Sequence, residues 1–234
     1  MATKKRAFKQ AKIAAVYNQK GGCGKTMTAM QLGGSLALKG YKTLIVEMDP
    51  QGTAMTWYRR GEEIGRSFPA TVISLSRMGK DMVGGIAKFV DDYDFIIVDC
   101  PPAIESTVPW AALIIADIGI VPIAPALDNI WASKEAFELG KRAQEVNQNL
   151  QLFYMPSLVR RGNLFTACLE ILEQDPLVQE GKLIKLSEGL NQRNAYQECQ
   201  AEGSTVHALA KKSLAIDEVN AMTKDFLKIF SLRG

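Results

Sequence analysis

Seven consecutive residues, Lys20-Gly21-Gly22-Cys23-Gly24-Lys25-Thr26, bring together the groups that hold a polyphosphate. Glycines let successive backbone N–H groups turn inward on phosphate oxygens, and a helix starting at the end of the segment adds its partial positive charge. Lys25 is placed to reach the β- and γ-phosphates and the Thr26 hydroxyl to bind Mg²⁺, so ATP and Mg²⁺ are the expected cofactors. Two other glycine loops are excluded by inspection. The dinucleotide pattern GxGxxG needs Gly or Ala where Met27 stands, and the common phosphate loop GxxxxGK[ST] needs Gly where Gln19 stands. What remains is KGGxGK[ST], with an additional lysine, Lys20, ahead of Lys25. The other reactive groups are few. His207 is the single histidine, which excludes a His-rich zinc site and leaves one possible base for a Ser/His/Asp triad. Cys23, Cys100, Cys168 and Cys199 lie too far apart for a CxxC pair and read as reduced thiols. Chemistry must come from carboxylates, lysines and backbone amides.

Such a loop works at a junction from strand to helix, and the sequence supplies one. Short apolar runs at 13–17, 43–47, 95–99, 118–123 and 150–155 alternate with helical spacing at 26–38, 80–90, 130–146 and 164–174, with weaker strands near 70–74 and 182–186. Runs this apolar predict strands buried on both sides. The expected fold is α/β, a mostly parallel twisted sheet with helices on both faces. The 234 residues, 47% hydrophobic and 23% charged, suit one globular core, and no repeat or linker marks a second domain. The net charge of +3 is uneven: residues 1–12 carry Lys4, Lys5, Arg6, Lys9 and Lys12 without an acid, so the remainder is net acidic. That stretch reads as a basic, disordered N-terminal arm, with contact to nucleic acid or an anionic membrane as the alternative. No run approaches the roughly 20 apolar residues that span a bilayer and no secretory leader is visible, so a cytoplasmic protein is expected.

Together these features resemble the deviant Walker A motif of the ParA/MinD family of P-loop ATPases, and family-like segments run in order from about residue 13 to about residue 210. The resemblance implies a weak Mg-dependent ATPase occupying residues 13–234 as a single domain. Lys20 is then the signature lysine, reaching across a nucleotide-sandwich homodimer to the partner's phosphates, and Lys20, Gly21, Gly22, Cys23, Gly24, Lys25, Thr26 and Met27 line the nucleotide. Glu47-Met48-Asp49-Pro50-Gln51-Gly52 is similar to the family's switch I, DxDPQ, in which Asp49 orients the attacking water and acts indirectly on the metal; the first aspartate is Glu47 here. Phe95 to Asp99 with Cys100-Pro101-Pro102 resembles Walker B and switch II, with Asp99 holding Mg²⁺ through a water. Met27 stands where relatives usually carry Thr or Ser against the α-phosphate. The segment Val121 to Asp128 resembles the loop near the adenine in small partition-type ParA proteins, which implies Pro122 and Pro125 as its neighbours. Trp57 points to the same compact subgroup, which lacks an N-terminal helix-turn-helix domain.

The resemblance implies an ATP-state dimer that binds DNA non-specifically, associates with the nucleoid and partitions or positions a cargo, hydrolysis being stimulated by a ParB-like or other cargo-bound adaptor. Arg160, Arg161, Lys182, Lys185, Arg193, Lys211 and Lys212 are the DNA-contacting candidates, Arg193 because ParA-like proteins place such an arginine there. One alternative is a MinD-like membrane-surface ATPase, for which Val219, Met222, Phe226 and Ile229 form an apolar helical stripe that equally suits packing on the domain. The other is an iron–sulfur reductase, for which Cys100 lacks a matching second cysteine.

Overall fold

A computed structural model describes residues 7–102, 107–160, 162–210 and 213–232, apart from the side chain of Leu164. Strands β1 (Lys12–Val16), β2 (Thr43–Glu47), β3 (Thr71–Ser74), β4 (Phe95–Asp99), β5 (Ile118–Ile123), β6 (Gln151–Val159), β7 (Leu183–Lys185) and β8 (Leu190–Asn191) alternate with helices. These are α1 (Lys25–Leu38), α2 (Thr53–Glu63), α3 (Met82–Ala87), α4 (Thr107–Ile115), α5 (Leu127–Val146), α6 (Asn163–Glu173), α7 (Pro176–Gln179), α8 (Asn194–Ala201) and α9 (Leu214–Ile229). The eight strands form one sheet in the order β3-β2-β4-β1-β5-β6-β7, β8 also pairing with β6, and every pairing is parallel.

The strands are continuous apolar runs because both their faces are covered. Ala14 and Val16 of β1 join a core with α1, α2, α8 and α9, while Ile13, Ala15 and Tyr17 join one with helices α3 to α7. The stripe on α9 belongs to the first core. Val219, Met222 and Phe226 are buried, and the Phe226 ring meets Phe95 edge-on at 5.5 Å. Packing on its own domain therefore accounts for that stripe, and among the described residues no helix is long and apolar enough to cross a membrane.

The chain departs from the expected arm at its inner end. Ala7 to Lys12 are tied down: the Ala7 N–H donates to Asp94 Oδ1 (2.9 Å), Phe8 packs edge-on against Phe95 and Phe230, and Lys12 pairs with Asp117 while opening β1. An aromatic residue between the basic ones supplies the apolar anchor.

Strand β1 lies between β4 and β5, where the chain leaves the sheet toward opposite faces, and a crevice opens at the carboxyl ends of such strands. On one wall, α2 is clamped to the turn after α8. The Trp57 indole donates to the Ser204 carbonyl (3.0 Å), and Gly61 and Gly203 pass so closely that a Cβ on Gly203, at φ 59°, would stand 1.9 Å from the Gly61 nitrogen. Gly203→Ala is expected to lower unfolding stability by at least about 2–3 kcal/mol, measured by urea denaturation.

Candidate functional site

The phosphate loop joins β1 to α1. Gly22 (φ 73°) and Gly24 (φ 88°) take left-handed conformations, Gly24 as the residue before α1. Side chains from outside hold the loop. Buried Asn18 donates to the Pro122 carbonyl (2.9 Å) and to Ser133 Oγ (3.1 Å) and accepts the Lys20 N–H (3.2 Å). On the other side the Ser157 hydroxyl donates to the Cys23 carbonyl. Lys25 is only 7% exposed, and its ammonium donates to the Lys20 carbonyl (2.8 Å), which curls the loop around the charge. Lys20 sits at the rim, with its ammonium bonded to Asp128.

Three carboxylates line up beside the loop. Glu47 and Asp99 are neighbours in register at the ends of β2 and β4, and both are fully buried. Glu47 accepts the N–H groups of Ala54 (3.0 Å) and Met55 (2.8 Å), satisfying the first turn of α2. Burial pushes its pKa up and those amides pull it back. Asp49, half-exposed, accepts the Gln51 N–H (2.9 Å) in a local turn. Asp99 differs. Neither carboxylate oxygen has a hydrogen-bond partner among the described residues. Burial pushes its pKa up to about 7, with Thr26 and Lys25 opposing and Glu47 and Asp49 adding to the shift. A buried carboxylate with unsatisfied oxygens beside the Thr26 hydroxyl fits a hard cation that prefers oxygen. Asp99 and Thr26 are the residues that would hold Mg²⁺, which supplies charge neutralisation to a bound triphosphate.

From the loop a cleft of about 460 Å³ runs past Thr26, Met27 and Asp49 to Trp57 of α2, Pro102, Leu158 and the α8 side chains Tyr196, Gln197 and Gln200. Gly21, Gly22, Gly24 and Lys25 line it, whereas Cys23 is buried and turns its thiol to the Lys20 carbonyl. Pro122 and Pro125 do not line it. Pro122 lies inside β5 and its carbonyl holds Asn18.

The basic candidates are dispersed by their partners. Lys182 pairs with Glu180 and Lys185 with Glu188 at the surface, and Arg160 bonds Gln192. Arg193, which lines the cleft, is bound through Nε and Nη2 to Glu218 (2.8 and 2.6 Å), a carboxylate that also accepts Asn191 and the Tyr196 hydroxyl. That network ties β8 and α8 to α9 and holds the Arg193 guanidinium in place. Arg161, Lys211 and Lys212 lie outside the described residues. Cys100 is buried, so its thiol does not reach a subunit surface where a shared cluster would sit.

The family described as the CobQ/CobB/MinD/ParA nucleotide binding domain matches residues 14–211. The chain belongs to this family. Its relatives include the maintenance of carboxysome distribution protein A of Halothiobacillus neapolitanus, 26% identical over 94% of this chain and 99% of that one. The chromosome partitioning protein ParA of Myxococcus xanthus is 30% identical over 65% of this chain and 67% of its own. Among solved structures, Cyanothece McdA in complex with ATP superposes with a TM-score of 0.74 at 14% identity, covering 96% of this chain and 98% of that one, a likeness of fold. A ParA/MinD-type nucleotide-binding fold is thus established. Asn18, Ser133 and Ser157 are site residues that motif reading passes over. Asn18 alone left a signal, a polar residue between a buried strand and the glycines.

Because the Asp99 pKa is raised, from 3.8 to about 7, the folded protein retains a proton that the unfolded chain releases. That favours folding at low pH, and the gain is lost as pH rises from about 4 through about 7. With chelator present, Asp99→Asn should flatten the fall in melting temperature between about pH 5 and pH 8 and be more stable than the parent at the upper end. Thermal melts at both pH values check this.

Proposed function

We propose that this chain is a positioning ATPase. It binds Mg·ATP in the cleft, pairs face to face with a second copy through the nucleotide, holds DNA without sequence preference in that state, and is released when a cargo-bound adaptor stimulates hydrolysis. One observation carries the reading: the loop has two lysines in different surroundings. Lys25 is buried beneath the loop, where it serves the phosphates of its own chain. Lys20 stands at the open rim, with a side chain 32% exposed and directed away from its own loop. A rim lysine adds charge to a phosphoryl-transfer site built by another chain, as an arginine finger does. Asp49, at the cleft wall, is the residue to orient the attacking water, and the Met27 N–H remains for the α-phosphate.

The named relatives act in carboxysome distribution and chromosome partitioning, which supports positioning as the output. For DNA, the exposed pairs Lys182–Glu180 and Lys185–Glu188 are weak, so phosphates can displace the carboxylates. The Glu218 network is too well satisfied for that exchange. Arg160, Lys182 and Lys185 are therefore the contacts to DNA among the described candidates.

Lys20→Ala should retain ATP but lose hydrolysis by at least about tenfold, read by nucleotide binding and phosphate release; wild-type turnover would remove the trans-acting lysine. Co-sedimentation with DNA should show binding with ATP, little with ADP, and loss at raised salt. Substituting Arg160, Lys182 and Lys185 together by Ala should reduce the salt slope, whereas Arg193→Ala should lower stability instead. No gain from ATP refutes the DNA output.

A further inference from the structure

Lys20 is fixed at its backbone and free only at its side chain. Its N–H donates to Asn18 Oδ1 and its carbonyl accepts from Lys25 Nζ, so the loop holds its Cα while the ammonium selects a partner. In the single chain that partner is Asp128 Oδ2, on the first turn of α5. The bond holds the Asp128 carboxyl below its ordinary range, so the group is ionised at neutral pH. Among the described residues no second cation pairs with Asp128. One ammonium cannot stay closed on Asp128 and also neutralise phosphate oxygens in another molecule.

We propose that Asp128 is a latch on Lys20. It keeps the ammonium turned back on its own α5 in the single chain, and a second copy's phosphates recruit Lys20 only as this pair opens. The inference rests on Lys20 acting in trans, as proposed above. Asp128 is a positioning residue, acting on the reaction through Lys20. The side chain of Asp128 is 65% exposed, and Leu127 and Trp131 beside it on α5 are 38% and 61% exposed, so this turn is open to an approaching copy. An exposed ion pair of this kind is weak enough for a triphosphate to displace.

Asp128→Asn preserves the shape of the side chain and removes its charge. Basal ATP turnover should rise roughly two- to fivefold, and ATP-dependent dimerisation, followed by light scattering, should begin at correspondingly lower protein concentration. Nucleotide affinity of the monomer and melting temperature should match the parent, and Asp128→Glu should restore parental turnover. In a Lys20→Ala background the Asn substitution should change neither dimerisation nor turnover. Unchanged or reduced turnover in Asp128→Asn overturns the latch. So does an equal gain without Lys20, which would place the effect in α5 itself. Wild-type turnover in Lys20→Ala alone is a different failure: it removes the trans-acting lysine, and the latch falls with it.

Discussion

A loop that offers its N–H groups to phosphate cannot use them to hold its own shape. Most loops are stiffened by their internal hydrogen bonds, and here those donors must stay available. The stiffness comes from elsewhere: Asn18 fastens one end to β5 and α5, Ser157 fastens the other to β6, and Lys25 draws the Lys20 carbonyl over itself. The first two fastenings depend on strands that arrive late in the sequence. The loop is therefore in order only when β5 and β6 have paired beside β1, and binding geometry and sheet assembly are a single property of the chain.

The same economy of donors explains the three carboxylates. Glu47 and Asp99 are adjacent at the ends of β2 and β4, where two bare anions would repel at short range. The longer Glu47 side chain turns to the start of α2, whose free N–H groups absorb its charge. Asp99 keeps its oxygens free of backbone donors among the described residues, beside the Thr26 hydroxyl, which is the arrangement that would suit a cation. Glu47 thus fastens α2, which begins four residues after Asp49, to the end of β2.

Strands β2, β4 and β5 were legible to the residue because each is an apolar run ended by a charge or a loop. Strand β6 was read short, to 155 rather than Val159, since Pro156 and Ser157 look like a break, although Pro156 still pairs with Ile123. Hydrophobic spacing left α2 and α8 unmarked, α2 being expected only from the resemblance that places Trp57 on a helix, because they bury little besides Ala54, Trp57 and Gly61 in one and Ala195, Tyr196 and Cys199 in the other. In the site, what a motif spells out was readable: the glycines, Lys25, Thr26, Asp99. What depends on three-dimensional neighbours was not. Arg193 looks like a surface cation until Glu218, on a helix of its own, is seen beneath it, and Ser157 carries no signal until β6 is laid against the loop.

Phe8 and Phe230 meet at 5.8 Å over Phe95, at the edge of the sheet where the strands begin. The cleft opens at the edge where they end. The two extremities of the folded body are thus clasped together on the side remote from the nucleotide. Tightening or loosening that clasp acts on both described ends at once, away from the cleft.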